Sequence, residues 1–166
     1  WQLYQLQRRY LDYQVNIGNQ IIELLTSGDP ADQLKAAEVS QPKKEFQDMI
    51  DELFAETNKK IDRKNNEIQF IQTMGTGTET ITPYQLSSGE KQMLAILLTV
   101  LVENREPYAL LMDEPEISLH IDWQQRLIDL IRQLNPNVQI ILSTHSPALI
   151  MDGWVSNVTE VNEITN

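Results

Sequence analysis

Apolar residues recur at alternating spacings of three and four through the start of the chain: Leu3, Leu6, Tyr10, Tyr13, Ile17 and Leu24, with Gln20 interrupting the series. Side chains three and four apart share a helical face, so this spacing predicts a helix over 3–25. The seam suits either one amphipathic helix packed on its own domain or the root of a coiled-coil arm. Ser27-Gly28-Asp29-Pro30 stops it. A short helix over 31–39 follows. Ser40 and Pro42 suit the start of another over 43–62, with Phe46, Met49, Ile50, Leu53, Phe54, Thr57 and Ile61 along one face. Asn65-Asn66 ends it.

The period then changes to two. Ile68 to Gln72 alternates like a strand, Gly75-Thr76-Gly77 supplies turn residues, and Glu79 to Thr82 can return as the second arm of a hairpin. No Lys and no helix start follow these glycines, so a hairpin turn fits better than a phosphate loop. Residues 88–104 are apolar nearly all round, which predicts a buried helix. Tyr108 to Met112 and Val138 to Leu142 are short apolar runs suited to buried parallel strands. Between them lies a helix over 122–134 with Trp123, Leu127, Ile131 and Leu134 inward. Strand, helix, strand implies a right-handed crossover. The predicted fold is α/β: a partial parallel sheet flanked by helices over 65–166, preceded by a helical segment over 1–64.

The chain has 166 residues, enough for one domain with an arm. Its net charge of −11 argues against a broad nucleic-acid face. Lys43-Lys44, Lys59-Lys60 and Arg63-Lys64 form short basic clusters, most simply solvated helix faces. Cysteine is absent, which removes disulfides and thiolate metal sites. The opening residues are polar and carry Arg8 and Arg9, unlike a signal peptide. Met93 to Val102, the longest nearly apolar run, is about half of a bilayer span. The chain reads as soluble and cytoplasmic, with no membrane partner. It opens on Trp1 rather than Met, as an excised or processed piece would.

Three short clusters carry candidate chemistry. Asp113-Glu114 ends an apolar strand, where ligands bind in open α/β sheets. One carboxylate can hold Mg²⁺ through water while its neighbour orients or deprotonates an attacking water. Phosphoryl transfer needs those two roles, yet adjacent acids at a strand end are common. His145 lies just past the next strand, within reach of a terminal phosphate, although a lone loop histidine is more often structural. Leu86-Ser87-Ser88-Gly89-Glu90 precedes the buried helix. Ser87 can cap it, its first-turn N–H groups attract anions, and Gly89 permits close approach of a phosphate. Ser87 with Glu90 equally fits a plain capping box.

In this order and at these intervals, the clusters resemble the carboxyl-terminal lobe of an ABC-type ATPase. Leu86 to Glu90 matches the signature motif, Ala109 to Glu114 the Walker B strand, Ile117 to His120 the D-loop and His145 the switch histidine. Ser88 replaces the usual second glycine, Glu90 the usual glutamine, and His120 the common D-loop aspartate. Glu90 and the run from Asp113 to His120 are more similar to RecF-, SMC- and overcoming-lysogenisation-type ATPases than to transporters. Tyr84 to Gln92 resembles stand-alone bacterial ATPases of defence and retron-like systems.

The resemblance implies ATP and Mg²⁺ as cofactors. Asp113 would order the metal, Glu114 would activate water, and His145 would contact the γ-phosphate. Ser87, Ser88, Gly89 and Glu90 would serve a nucleotide held by the opposite head of a homodimer. It further implies a role in DNA repair or phage defence, with DNA or an effector nuclease as partner of a longer protein. No Gly-x-x-x-x-Gly-Lys-Ser/Thr loop occurs in the sequence. The Walker A lobe must therefore be supplied from elsewhere, residues 1–64 would end an inter-lobe insertion, and the chain alone should bind Mg-ATP negligibly. A transporter's nucleotide-binding subunit and a non-catalytic interaction module are the competing readings.

Overall fold

A computed structural model describes residues 2–151 and 153–164. Helix α1 (Gln2–Thr26) buries Leu6, Tyr10, Tyr13 and Ile17, the predicted seam. Gly28, at φ +78°, turns the chain, and Asp29 caps the next helix by accepting from the Ala31 N–H at 2.9 Å. Helix α2 (Pro30–Leu53) is continuous where two helices were expected. An interior proline costs about 3 kcal/mol. Here Ala36, Pro42, Phe46, Met49, Ile50 and Leu53 form one buried stripe that runs through the proline. That face packs on α1, with the Tyr10 and Phe46 rings 6.4 Å apart, and its burial outweighs the lost helical bond. The α1 seam thus packs within its own domain, on α2 in a helical hairpin and on α3.

Helix α2 also stops well short of 62. The chain turns through Asn58, at φ +55°, and Lys59–Ile61 form strand β1 instead of helix. Three contacts hold this geometry. Asp51 Oδ1 accepts the Ile61 N–H at 2.7 Å, and the Phe54 ring lies 5.6 Å from Phe70 and 5.9 Å from Trp123. Strand β1 pairs antiparallel with β2 (Phe70–Met74), which pairs with β3 (Gly77–Ile81). The hairpin stands two residues later than predicted on its first arm. Gly75 takes φ +59° at the first position of its two-residue turn, as a type II′ turn requires.

Helix α3 (Ser88–Val102) is buried on most faces and packs against α1, α2 and α4. Strands β4 (Ala109–Asp113) and β5 (Gln139–Ser143) are parallel and joined through α4 (Ile121–Leu134). Their register pairs Leu111 with Ile141 and Asp113 with Ser143. One core unites the helices with both sheets. The chain continues past a 3-10 turn at Pro147–Leu149 to the short helix α5 (Val161–Ile164).

The parallel strands are not buried on both faces, contrary to the sequence reading. Leu110 is buried, but Leu111 is 71% and Ile141 51% exposed. Among the described residues, the face that carries them has no covering element. No helix among the described residues is long and apolar enough to cross a membrane.

Candidate functional site

The carboxyl ends of β4 and β5 gather the residues singled out from the sequence. Asp113 closes β4 opposite Ser143, whose hydroxyl donates to Asp113 Oδ1. Glu114 keeps one more rung of the ladder, its N–H donating to the Ser143 carbonyl at 3.0 Å. It then takes φ +44°, a left-handed conformation that costs a non-glycine residue about 1–3 kcal/mol. That bend turns the chain out of the sheet at buried Pro115. Glu114 Oε1 lies 3.4 Å from His145 Nε2, and the imidazole is 91% exposed. A contact so open contributes little stability, so this pairing of acid and imidazole is not explained by the fold's need for it.

Beyond Pro115 the chain makes a tight turn. The Ile117 N–H donates to the Glu114 carbonyl at 3.2 Å, and the Leu119 N–H to that of Glu116 at 2.9 Å. Ser118 sits at φ +73° with its carbonyl against α3. A Cβ on Gly89 would stand 2.5 Å from that carbonyl oxygen. The sequence assigned Gly89 to close approach of a phosphate; its own chain already makes such an approach. The signature segment therefore meets the acidic end of the sheet through Gly89 and Ser118.

Ser87 and Glu90 form the predicted capping box: the Glu90 N–H donates to Ser87 Oγ at 3.3 Å, and the Ser87 N–H to Glu90 Oε2 at 2.8 Å. Ser87 and Ser88 are exposed. Glu90 is 2% exposed and faces inward. It accepts from Lys59 Nζ at 2.8 and 3.0 Å and from Thr57 Oγ1 at 2.6 Å. Burial alone would raise its pKa; the bonds from Lys59, Thr57 and Ser87 outweigh that and hold the carboxyl below its ordinary range. Glu90 is thus engaged within the chain. Sequence reasoning missed Lys59 because it placed that residue on a solvated helix face. Strand alternation around Lys59–Ile61 was the available signal, since it turns Lys59 in and Lys60 out.

A second carboxylate was also missed as a site group. Glu116 Oε1 accepts from Thr144 Oγ1 at 2.5 Å, the His145 N–H at 3.0 Å and the Ser146 N–H at 3.1 Å. Burial pushes this carboxyl up, but these donors, with its own backbone N–H, bring it below the usual range.

A cleft of about 240 Å³ opens beside Asp113 between α3 and β4, with Gln92, Ile96, Thr99 and Leu111 in its walls. A larger one, about 530 Å³, lies between α1 and the end of α3 and contains none of the motif residues. Among the described residues no three His, Cys, Asp or Glu side chains cluster as a metal cage. Mg²⁺ ordinarily takes one or two carboxylates, with phosphates and waters completing its shell. Asp113 with the Ser143 hydroxyl fits an ion that arrives with a nucleotide, not one held by protein alone.

A family model described as an AAA domain, putative AbiEii toxin, Type IV TA system, matches residues 4–152. The Retron Vc95 probable ATPase of Vibrio cholerae serotype O1 biovar El Tor is 33% identical over 95 residues, covering 51% of this chain and 18% of that protein. The Retron Ec83 probable ATPase of Escherichia coli is 37% identical over 79 residues, covering 41% of this chain and 15% of that protein. The aligned chain spans less than a fifth of either relative. An SMC head solved in complex with the C-winged helix domain of ScpA superposes with a TM-score of 0.50 at 15% identity, over 80% of this chain and 44% of that one. That likeness concerns the fold.

Proposed function

The chain belongs to the AAA-domain family whose model spans residues 4–152, and we propose that it supplies the hydrolytic half-site of an ABC/SMC-like ATPase head within a longer protein. One observation carries this reading: Asp113, Glu114 and His145 converge at the carboxyl end of a parallel strand pair, with Glu114 Oε1 3.4 Å from His145 Nε2. Such an arrangement suits in-line attack of water on a terminal phosphate.

Asp113, oriented by the Ser143 hydroxyl, would hold the metal ion that arrives with the nucleotide. Mg²⁺, when bound with the nucleotide, neutralises charge on the phosphate oxygens. Glu114 accepts a proton from the attacking water, and the bend at φ +44° sets its carboxylate beside the strand end. His145, its imidazole exposed to an incoming nucleotide, donates to the terminal phosphate. Ser87 and Ser88, exposed at the start of α3, offer a hydroxyl and first-turn N–H groups to a nucleotide held by a second head.

The rest of the protein supplies the phosphate loop. Its lobe covers the open β4–β5 face at Leu111 and Ile141, and residues 1–64 are the returning end of an inter-lobe insertion. Hydrolysis then requires two complete heads. The likeness to two retron ATPases supports antiviral defence as the work of that ATPase.

Replacing Glu114 by Gln in the full-length protein tests the assignment. Loss of a catalytic base lowers kcat by about 10²–10⁴-fold, and Mg-ATP affinity is expected to persist. Turnover within threefold of the parent protein would remove Glu114 from the chemistry.

A further inference from the structure

His145 is placed by its backbone. Its imidazole is 91% exposed and touches Glu114 at 3.4 Å. Its N–H, by contrast, is bound at 3.0 Å to Glu116 Oε1, together with the hydroxyl of Thr144 and the N–H of Ser146. Two consecutive N–H groups aimed at one anionic oxygen form a nest of the kind that binds anions. Here the anion is a side chain from the neighbouring strand's exit turn. A second strut runs alongside: Ser146 Oγ donates to Gln124 Oε1 at 2.6 Å, and Gln124 Nε2 donates to the Leu119 carbonyl at 2.9 Å. The loop 144–146 is therefore tied to both ends of the turn that leaves β4, and that turn is pressed against Gly89 through Ser118.

We propose that Glu116 is the positioning residue of the site: it sets the His145 backbone over the Asp113–Glu114 end without itself touching substrate. The proposal rests on the ATPase reading of those three residues. Its chemistry is specific. A single oxygen serving three donors must be an acceptor with no proton of its own, at the end of a two-carbon arm. Asp ends one methylene short. Gln keeps an acceptor oxygen at the right reach but loses the charge that strengthens each bond. The other carboxylate oxygen, Oε2, is buried without a hydrogen-bond partner, so a Gln amide there would also leave its N–H groups unmatched. The expected order of activity is Glu, then Gln, then Asp and Ala.

The test uses the full-length protein with E116A, E116Q and E116D, read by steady-state ATP turnover and by hydrogen exchange in segment 143–149. Displacing a catalytic group by about 1 Å costs on the order of 10²-fold, so E116A should lower kcat by about that factor with KM within twofold. E116Q should recover most of it. E116D keeps the charge but ends one methylene short, and should lose kcat with KM unchanged. Exchange of the His145 and Ser146 amides should speed up about tenfold in E116A while α3 stays protected. Unchanged kcat in both E116A and E116D would overturn the proposal, as would unchanged exchange at 145 and 146. Failure of the ATPase reading is distinguishable: Glu114→Gln would then leave turnover intact, while exchange at 145 and 146 would still report whether Glu116 holds the loop.

Discussion

Gly89→Ala offers a sharp test because two effects of opposite sign compete at that position. Gly89 is the second residue of α3 and does not use a positive φ. At an ordinary helical site, Ala would stabilise by about 0.5–1 kcal/mol over Gly. Here the new Cβ would stand 2.5 Å from the Ser118 carbonyl oxygen and 3.5 Å from its carbonyl carbon. The first distance is well inside contact range, and the obstacle is backbone rather than a side chain that can rotate away. Ser118 is already at φ +73°, so its turn has little freedom to retreat. Forcing extra volume into such a contact costs about 1–3 kcal/mol. The steric term wins, and the net expectation is a loss of about 1–2 kcal/mol. Urea denaturation of the Gly and Ala forms side by side measures it, with Ser88→Ala as a control on helix propensity alone. A gain of stability in Gly89→Ala would mean that Ser118 does not press on the signature turn, and the mechanical link between that turn and the acidic strand end would fall with it.

Other consequences follow from the same contacts. Lys59→Met leaves Glu90 buried without its cation and should cost about 3–5 kcal/mol, read by denaturation; a loss under about 1 kcal/mol would place that pair in solvent. The lowered pKa of Glu90 stabilises the fold fully above the ordinary carboxylate value of about 4.3, and that contribution disappears as pH falls through the lowered native value. Glu90→Gln should flatten this acid limb of a stability-against-pH profile, and an unchanged slope would refute the linkage. Calorimetric titration of the chain alone with Mg-ATP should show no binding at micromolar nucleotide; saturable heat there would demand a phosphate site within these residues.

The placement of the candidate site was legible in the sequence because it rests on local order. A strand that ends in Asp113-Glu114, a helix capped by Ser87 with Glu90, and His145 after the next strand are short-range patterns. Chain geometry converts each directly into position. The α1 seam and the nearly all-apolar α3 were legible for the same reason.

What the tertiary structure decided lies in contacts between distant segments. Pro42 reads as a helix start, yet burial of the stripe from Ala36 to Leu53 on α1 carries the helix through it. Residues 59–61 continue a helical face by spacing, but pairing with β2 and the bond from Ile61 to Asp51 make them a strand. Lys59 becomes the buried partner of Glu90 only across that change. Two apolar strands suggest burial on both faces, whereas Leu111 and Ile141 face outward because no element among the described residues covers them. Gly89 and Glu116 show the division most plainly. Their types are visible in the sequence, but the Ser118 carbonyl and the 144–146 loop that explain them are brought close by folding alone. Periodicity reports which side of an element is apolar; it carries no information on which distant group will meet that side.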